Sequence, residues 1–552
     1  MRRLVATAVM LLQVFAATAA VGQPEEIALY LRGLPFAAPE IRVAVFPDRL
    51  VNIVDHGAVG DGRTMNTAAF SRAIEVCAKA GGGTVLVPRG FWLTGPIRLK
   101  SNINLHVAQG AVVLFSKRFE DHPLIAGFDG TSRRYRCVPS VSAYREENVA
   151  ITGKGMFNGQ GEAWRPVKKE KLTAGQWKQL VASGGAVTPD GKMWYPSPGA
   201  MEGEALLRTL DAKKGNTMEE FARAREFLRP VMVQLVDCRG VLIDGPTFVN
   251  SPSFHVQPVQ SENIVIRNVA VRTDWWAQNG DGIDLSACRN VLVYNCVVDA
   301  GDDALCIKPG TISRRQKPGP ACENIVIADC IVYHGHGGFV IGSESYGGAR
   351  NIAVRNCTFH GTDVGLRFKS SRGRGGVIEG IFIEGITMTG IDREAILFDM
   401  FYDAASGVAS SVDAGNRADP RTPEFRDFVI RDISCSDAAR AISISGLEEM
   451  PVKNILIENA TLQAERGVMV IDAEGITLKN VRIIPRTGPL LAVQRIRGLD
   501  IQGCTVPAAT DTVLSVEGET SGGIRLIGID LGGRKNAIVL GPGVKPDAVL
   551  VK

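Results

Sequence analysis

Asn263-Ile-Val-Ile-Arg-Asn268, Asn290-Val-Leu-Val-Tyr-Asn295, Asn324-Ile-Val-Ile-Ala-Asp329, Asn351-Ile-Ala-Val-Arg-Asn356 and Asn454-Ile-Leu-Ile-Glu-Asn459 are five renderings of one phrase. Each holds a short run of Val, Ile and Leu between two turn-forming residues, which is the pattern of a short strand bounded by turns. Further copies start at Gly240, Gly380, Gly475 and Gly498, and consecutive copies begin 21 to 34 residues apart. A leucine-rich repeat of that length needs a leucine framework and helices, and a propeller needs antiparallel blades and hairpin dipeptides. Neither is present in the text. A stack of coils, each strand pairing with its equivalent in the next, fits the period. The expected fold is therefore all-β: a single right-handed parallel β-helix. The 552 residues then form one solenoid rather than the three or four domains that length alone suggests.

Two regions depart from the phrase. Residues 51–117 read as strand, glycine loop, a helix from Thr67 to Ala80, the turn Gly81-Gly82-Gly83 and another strand. The loop Gly57-x-x-Gly60-x-Gly62 lacks both the Lys-Ser/Thr ending of a P-loop and the dinucleotide-binding spacing. Its expected role is to lead into a helix that caps the open end of the solenoid. Residues 160–230 lose the phrase altogether and carry two helical stretches, Leu172 to Ser183 and Met218 to Leu228, the second opened by the capping box Thr217-x-x-Glu220. The chain divides into a leader over 1–22, an N-terminal segment with cap and first coils over 23–159, an insertion over 160–230, and catalytic and C-terminal coils over 231–552. Met1-Arg2-Arg3, the apolar run from Leu4 to Ala16 and the small residues Ala17-Thr18-Ala19 form the pattern of an export signal. The mature protein is expected to be secreted or periplasmic, with no membrane attachment after cleavage.

Composition narrows the partners. Lys plus Arg total 62 against 58 acidic residues, a net charge of +4, and no basic tail or domain is visible, which argues against nucleic acid. Sixty-one glycines without a collagen period suit a turn-rich β protein. The eleven cysteines are an odd, dispersed set without close Cys-x-x-Cys pairs, so neither a disulfide framework nor a zinc site is indicated. Cys296, Cys330 and Cys357 each follow Asn or Asp at the same point of the phrase, and are expected to stack as buried thiols.

Chemistry gathers in four consecutive coils. Asn279-Gly280-Asp281-Gly282-Ile283-Asp284 is followed by Gly301-Asp302-Asp303, then Gly335-His336-Gly337-Gly338, then Arg367-Phe368-Lys369. Their spacing is close to one repeat each, which stacks them on one face, with coils about 4.8 Å apart. Singly, these are ordinary turns and a solvated strand. Together they assemble carboxylates that repel one another, and packing offers no reason for that.

The series Asn-x-Asp, Gly-Asp-Asp, Gly-His-Gly and Arg-x-Lys, in this order, resembles the polygalacturonases of glycoside hydrolase family 28, from about Val51 to Ile396. Gly280 stands where the family's best-known pattern has Thr. The resemblance implies hydrolysis of α-1,4-galacturonosidic bonds in pectin. It makes Asp302 the general acid, Asp281 and Asp303 the residues that position and deprotonate water, His336 a group that tunes the acid, and Arg367 and Lys369 the holders of a galacturonate carboxylate. Asn279, which flanks the acids, and Tyr402, one coil beyond Lys369, are expected to bind substrate in the same pocket. Inverting hydrolysis needs one protonated carboxyl and one carboxylate around a water, and calls for no metal or cofactor. The partner is then a pectic polysaccharide or oligogalacturonide. An insertion folded over one end of the groove favours removal of sugars from the chain end.

The competing expectations are a rhamnogalacturonan or xylogalacturonan hydrolase, a pectate lyase, and a non-catalytic glycan binder. A lyase needs a calcium cage and a cationic base, which separate His336 and Arg-x-Lys coils do not suggest. A binder favours exposed aromatics, and aromatic content is only 6%; Trp275-Trp276 suits stacking on sugar or packing beneath the insertion.

Overall fold

The computed structural model describes residues 25–127, 134–212, 216–310, 321–402 and 417–552. The expected leader over 1–22 lies outside them. Among the described residues no helix is long and apolar enough to cross a membrane.

The repeated phrase works because both of its turn residues adopt the left-handed conformation. Asn263, Asn268, Asn290, Asn295, Asn324, Asp329, Asn351 and Asn356 all have φ between 52° and 56°, a region that Asn and Asp tolerate better than other side chains. Gly240, Gly380, Gly475 and Gly498 take the same corner with φ of 62° to 76°. The chain therefore bends before and after each strand. Corner amides then bond from coil to coil: Asn324 Nδ2 donates to Asn290 Oδ1 at 3.1 Å, and Asn351 Nδ2 to Asn324 Oδ1 at 3.0 Å.

The result is a right-handed parallel β-helix with three ladders. One runs from Leu50–Asn52 through Glu262–Arg267, Arg289–Tyr294, Cys322–Ala328 and Ala349–Arg355 to Val549–Val551. A second contains Ala270–Arg272, Val297–Asp299, Ile331–Tyr333 and Thr358–His360. A third contains Val256–Val259, Ile283–Ser286, Asp303–Lys308, Gly337–Gly342, Leu366–Lys369 and Ile391–Asp399. Side chains alternate in and out along each strand. Inward positions merge into one core from Ile53 to Ala537, with Phe339, Phe368, Phe398 and Phe428 forming an aromatic stack inside the site coils. All eleven cysteines are free and buried, and Cys330 lies in hydrogen-bond contact with Cys296 and Cys357, the ladder of thiols read from the sequence.

The cap helix spans Thr67–Lys79 and buries Phe70, Ala73, Ile74 and Cys77 over the first coil. The segment before it adds a feature not read from the sequence. The helix Glu25–Leu31 and the chain after it lie on the outside of the first ladder, where Ile27, Leu31 and Ile41 cover the outward row Leu242, Val265, Leu292 and Val326. Within 160–230 the helices Ala174–Ala182 and Met218–Ala222 lie inside the expected stretches. Both open with complete capping boxes, at Thr173/Gln176 and Thr217/Glu220. The second is shorter than expected and gives way to a 3₁₀ turn at Arg225–Phe227. A further helix, Pro198–Ala212, and a small antiparallel sheet of Val167–Lys168, Met193–Tyr195 and Ala186–Val187 complete the region. Trp164, Leu207, Leu210, Phe221 and Leu228 pack with Leu124 and Cys137 into a second core that joins the region to residues 119–126 and 135–137.

Candidate active site

The third ladder sets the register of the site. Ile283 pairs with Leu305, and the amide of Gly282 donates to the carbonyl of Asp303 at 2.9 Å, so Asp281 and Asp303 occupy the same position on adjacent coils. Asp303 pairs with Gly337 on the next strand. Ile283, Leu285, Leu305, Ile307, Leu366 and Phe368 point inward and are buried. Alternation then turns Asp284, Lys308, Arg367 and Lys369 outward. Asp284, Cys306, Val340 and Arg367 form one outward row.

One oxygen from each of Asp281, Asp302 and Asp303 lies within 4.8 Å of the other two. Asp281 and Asp303 are 2% and 1% exposed and Asp284 is wholly buried, so their charges are met mostly by neighbouring side chains. Lys369 Nζ donates to both oxygens of Asp303, at 2.8 and 3.1 Å. Arg367 Nη1 approaches Asp303 at 3.6 Å and donates to the carbonyl of His336 at 3.1 Å, while its Nε is buried without a hydrogen-bond partner. His336 Nδ1 lies 3.0 Å from Asp302 Oδ1, and the amide of Asn279 reaches Asp302 Oδ2 at 3.3 Å. The ring of Tyr402 sits under Lys369 at 4.9 Å and Arg367 at 5.7 Å. All eight residues singled out from the sequence thus meet in one place.

Three further residues belong to it. Lys308 Nζ reaches Asp281 at 3.2 Å, Asp284 at 3.4 Å and Asp303 at 3.7 Å. Asp284 stands three positions after Asp281 in the quoted phrase, and both charges interrupt otherwise apolar strands, which was the available signal. Arg229, at the end of the insertion, donates to Asn279 Oδ1 and to the carbonyl of Gln278, both at 2.8 Å. Nothing in its local sequence announces that contact. Burial pushes the Arg229 guanidinium down to about 10, opposed by Glu204, Asp302 and Asp281. The insertion is also tied down by Arg165, which donates to the carbonyl of Ser251 at 2.7 Å and to Thr273 Oγ1 at 2.9 Å. Trp275 remains 43% exposed, with Lys171 of the insertion 5.5 Å from its ring.

Electrostatics separates the four carboxyls. Burial raises Asp281 well above the carboxylate range, and raises Asp284 to about 7 although Lys308 opposes it. Burial would also raise Asp303 and Asp302. Lys369, Lys308 and Arg367 reverse this for Asp303, and the His336 hydrogen bond reverses it for Asp302, so both lie below the usual value. Burial thus favours the protonated forms of Asp281 and Asp284, while the cations and His336 favour the ionised forms of Asp303 and Asp302. Lys308 lies against Asp281 and Asp303, and Arg367 and Lys369 lie against Asp303, so two of the three clustered carboxyls are already paired with protein cations.

The family model described as Glycosyl hydrolases family 28 matches residues 172–416, and one described as Rhamnogalacturonase A/epimerase, pectate lyase-like matches residues 50–116. The structure of a hyperthermoactive exopolygalacturonase from Thermotoga maritima is 33% identical, with TM-score 0.67, over 81% of this chain and 94% of that one. The chain belongs to glycosyl hydrolases family 28. It is a glycoside hydrolase. An exo-poly-alpha-D-galacturonosidase of Dickeya chrysanthemi is 27% identical over 72% of this chain, which spans 64% of that relative's length. The family 28 exopolygalacturonase of Yersinia enterocolitica shares the fold at 20% identity and TM-score 0.66, over 83% of this chain and 78% of its own.

Proposed function

We propose that this chain is an exported, exo-acting polygalacturonase that hydrolyses α-1,4-galacturonosidic bonds of pectin with inversion, releasing galacturonic acid singly or as a dimer from the non-reducing end. The observation that carries the reading is the outward patch itself: three carboxyls within 4.8 Å beside the partly unsatisfied guanidinium of Arg367. A guanidinium is a planar fork suited to a uronate carboxylate. Asp302 protonates the leaving oxygen, and Asp281 with Asp303 orients and deprotonates water.

The His336 hydrogen bond holds the proton affinity of Asp302 down, and substrate binding opposes it. A galacturonate carboxylate docked on Arg367 adds negative charge beside Asp302 and excludes water, and both effects raise the proton affinity of Asp302. Asp302 then takes up a proton from solvent as the acid, while Asp281, with Lys308 at 3.2 Å, serves as the ionised base. The carboxyl oxygens lie closer than the roughly 6.5–9.5 Å typical of inverting pairs. Inversion is still favoured because Lys369 holds Asp303 through two hydrogen bonds, which restrains it from attacking the sugar.

Support for exo action comes from the insertion. Arg165 and Arg229 fasten it to residues 250–279, in the coil preceding Asp281 and beside the acids. A wall in that place stops a polymer from passing through the groove. The basic and apolar leader of the sequence supports export.

Product analysis on polygalacturonate tests the reading. The expected result is galacturonic acid or its dimer, formed first as the β anomer by NMR, with viscosity falling slowly relative to reducing ends. A rapid fall in viscosity at a small percentage of bonds cut means internal cleavage and removes the blocking role of the insertion. An α anomer as first product overturns inversion.

A further inference from the structure

Arg367, Lys369 and His336 serve Asp303 and Asp302, which leaves the third carboxyl, Asp281, without any of them. We propose that Lys308 is a positioning residue of the hydrolysis, holding Asp281 as the water-activating base, and that Asp284 fixes Lys308 in place. This rests on the hydrolase reading above and adds to it positioning roles for these two residues.

The geometry is specific. Among the described residues Lys308 is the cation in ion-pair range of Asp281, at 3.2 Å, and its side chain is only 12% exposed. Asp284, wholly buried, meets it from the preceding coil at 3.4 Å, and the ring of Phe254 covers it at 5.2 Å. Neither oxygen of Asp284 has a conventional hydrogen bond, so Lys308 is its nearest charged counterpart. A buried carboxyl without a function or a fully satisfied environment is costly, and here it orients one amine between two carboxyls.

Every charged or titratable neighbour of Asp281 bears on the sign. Asp284 on its own coil and Asp302 and Asp303 on the next raise its proton affinity, and Lys308 lowers it. Arg229 reaches the group from the insertion. His255 on the preceding coil touches only the Asp281 carbonyl, through Nδ1 at 2.8 Å. Cys306 beside Lys308 is a buried thiol held protonated. Lys369, Arg367 and His336 act one carboxyl away. Removing the amine at 308 therefore leaves Asp281 protonated to higher pH, and the acid limb of the rate profile moves upward.

The test is the pH profile of kcat and KM on polygalacturonate for the full chain, its Lys308→Met and Lys308→Arg variants, and Asp302→Asn in parallel. Expected for Lys308→Met is an acid limb raised by about one pH unit or more, roughly a tenfold or greater loss of kcat on that side, with KM within about threefold. Lys308→Arg is expected to restore the wild-type limb. The double variant Lys308→Met/Asp284→Asn removes both buried charges, so it keeps the test available if the single variant does not fold. It is expected to show an upward shift smaller than that of the single variant, because losing the Asp284 charge lowers the proton affinity of Asp281. A loss of kcat equal at every pH, or a raised KM at constant kcat, overturns the inference by making Lys308 structural or substrate-binding. An unshifted Lys308→Met profile beside an inactive Asp302→Asn overturns it alone. Normal turnover by Asp302→Asn overturns the hydrolase reading beneath it.

Discussion

Replacing Lys369 by Met isolates the strongest contact of the site. The amine and Asp303 are 4% and 1% exposed, and two hydrogen bonds of 2.8 and 3.1 Å join them. Truncating one partner of a buried ion pair typically costs about 3–5 kcal/mol, because the other charge is left without compensation. Here Arg367 at 3.6 Å and Lys308 at 3.7 Å remain near Asp303, so the lower end, about 3 kcal/mol, is expected at pH 7. The sign of the pH dependence follows. Burial pushes Asp303 up, but Lys369 and the other cations hold it below the ordinary carboxylate range. That stabilisation is present above the unfolded value of about 3.9 and is lost as pH falls through the folded one. The deficit of Lys369→Met should thus be largest above about pH 5 and shrink towards pH 3, as burial lets Asp303 of the variant take up a proton that Lys369 excludes in the wild type. Denaturant midpoints followed by circular dichroism at pH 7, 5 and 3, with the slope checked for constancy, measure it. A deficit below about 1 kcal/mol at pH 7, or one that does not change with pH, refutes the argument that Lys369 is committed to Asp303.

Arg367→Ala should reduce kcat/KM on polygalacturonate by roughly ten- to a hundredfold, the loss of one charge-assisted contact, and far less on methyl-esterified chains. Equal losses on both remove Arg367 from carboxylate recognition. Excess chelator should leave the rate within about twofold, since Lys308, Arg367 and Lys369 already pair with Asp281 and Asp303; a calcium requirement would point to elimination chemistry instead. The eleven buried thiols should be inert to a thiol reagent until denaturant is added, and the melting temperature should not respond to reductant. A fast-reacting fraction in the native protein would contradict the stacked arrangement of Cys296, Cys330 and Cys357.

Parts of the molecule were legible in the sequence because they obey strict local rules. The phrase was readable since a left-handed corner favours few residues, and Asn, Asp or Gly fills most such corners, with Gln260, Ala287 and His334 among the exceptions. The insertion helices at Ala174–Ala182 and Met218–Ala222 were readable from their caps. The helix Pro198–Ala212 was not, because Gly199 and Gly203 weaken its local signal. Those glycines answer to packing: a Cβ at 203 would lie 3.1 Å from Phe227, and one at 199 would meet Glu226 at 2.5 Å. Tertiary fit overrode propensity there.

The N-terminal arm and the Lys308–Asp284 pair were missed for a shared reason. In Ile264-Val265-Ile266 the two isoleucines face the core, and alternation assigns Val265 to the outside, yet Val265 is completely buried. An apolar residue in an outward slot is a statement that something covers it, and here Ile27, Leu31 and Ile41 do. Asp284 between Ile283 and Leu285, and Lys308 after Ile307, are the converse: charged residues in outward slots that are nonetheless withdrawn from water. In a solenoid the inward residues repeat because every coil needs the same core, so they specify the fold and little else. Information about partners resides in the outward slots, and only after register is fixed can it be seen that Asp284, Lys308, Arg367 and Lys369, drawn from three different strands, face the same few ångströms of space.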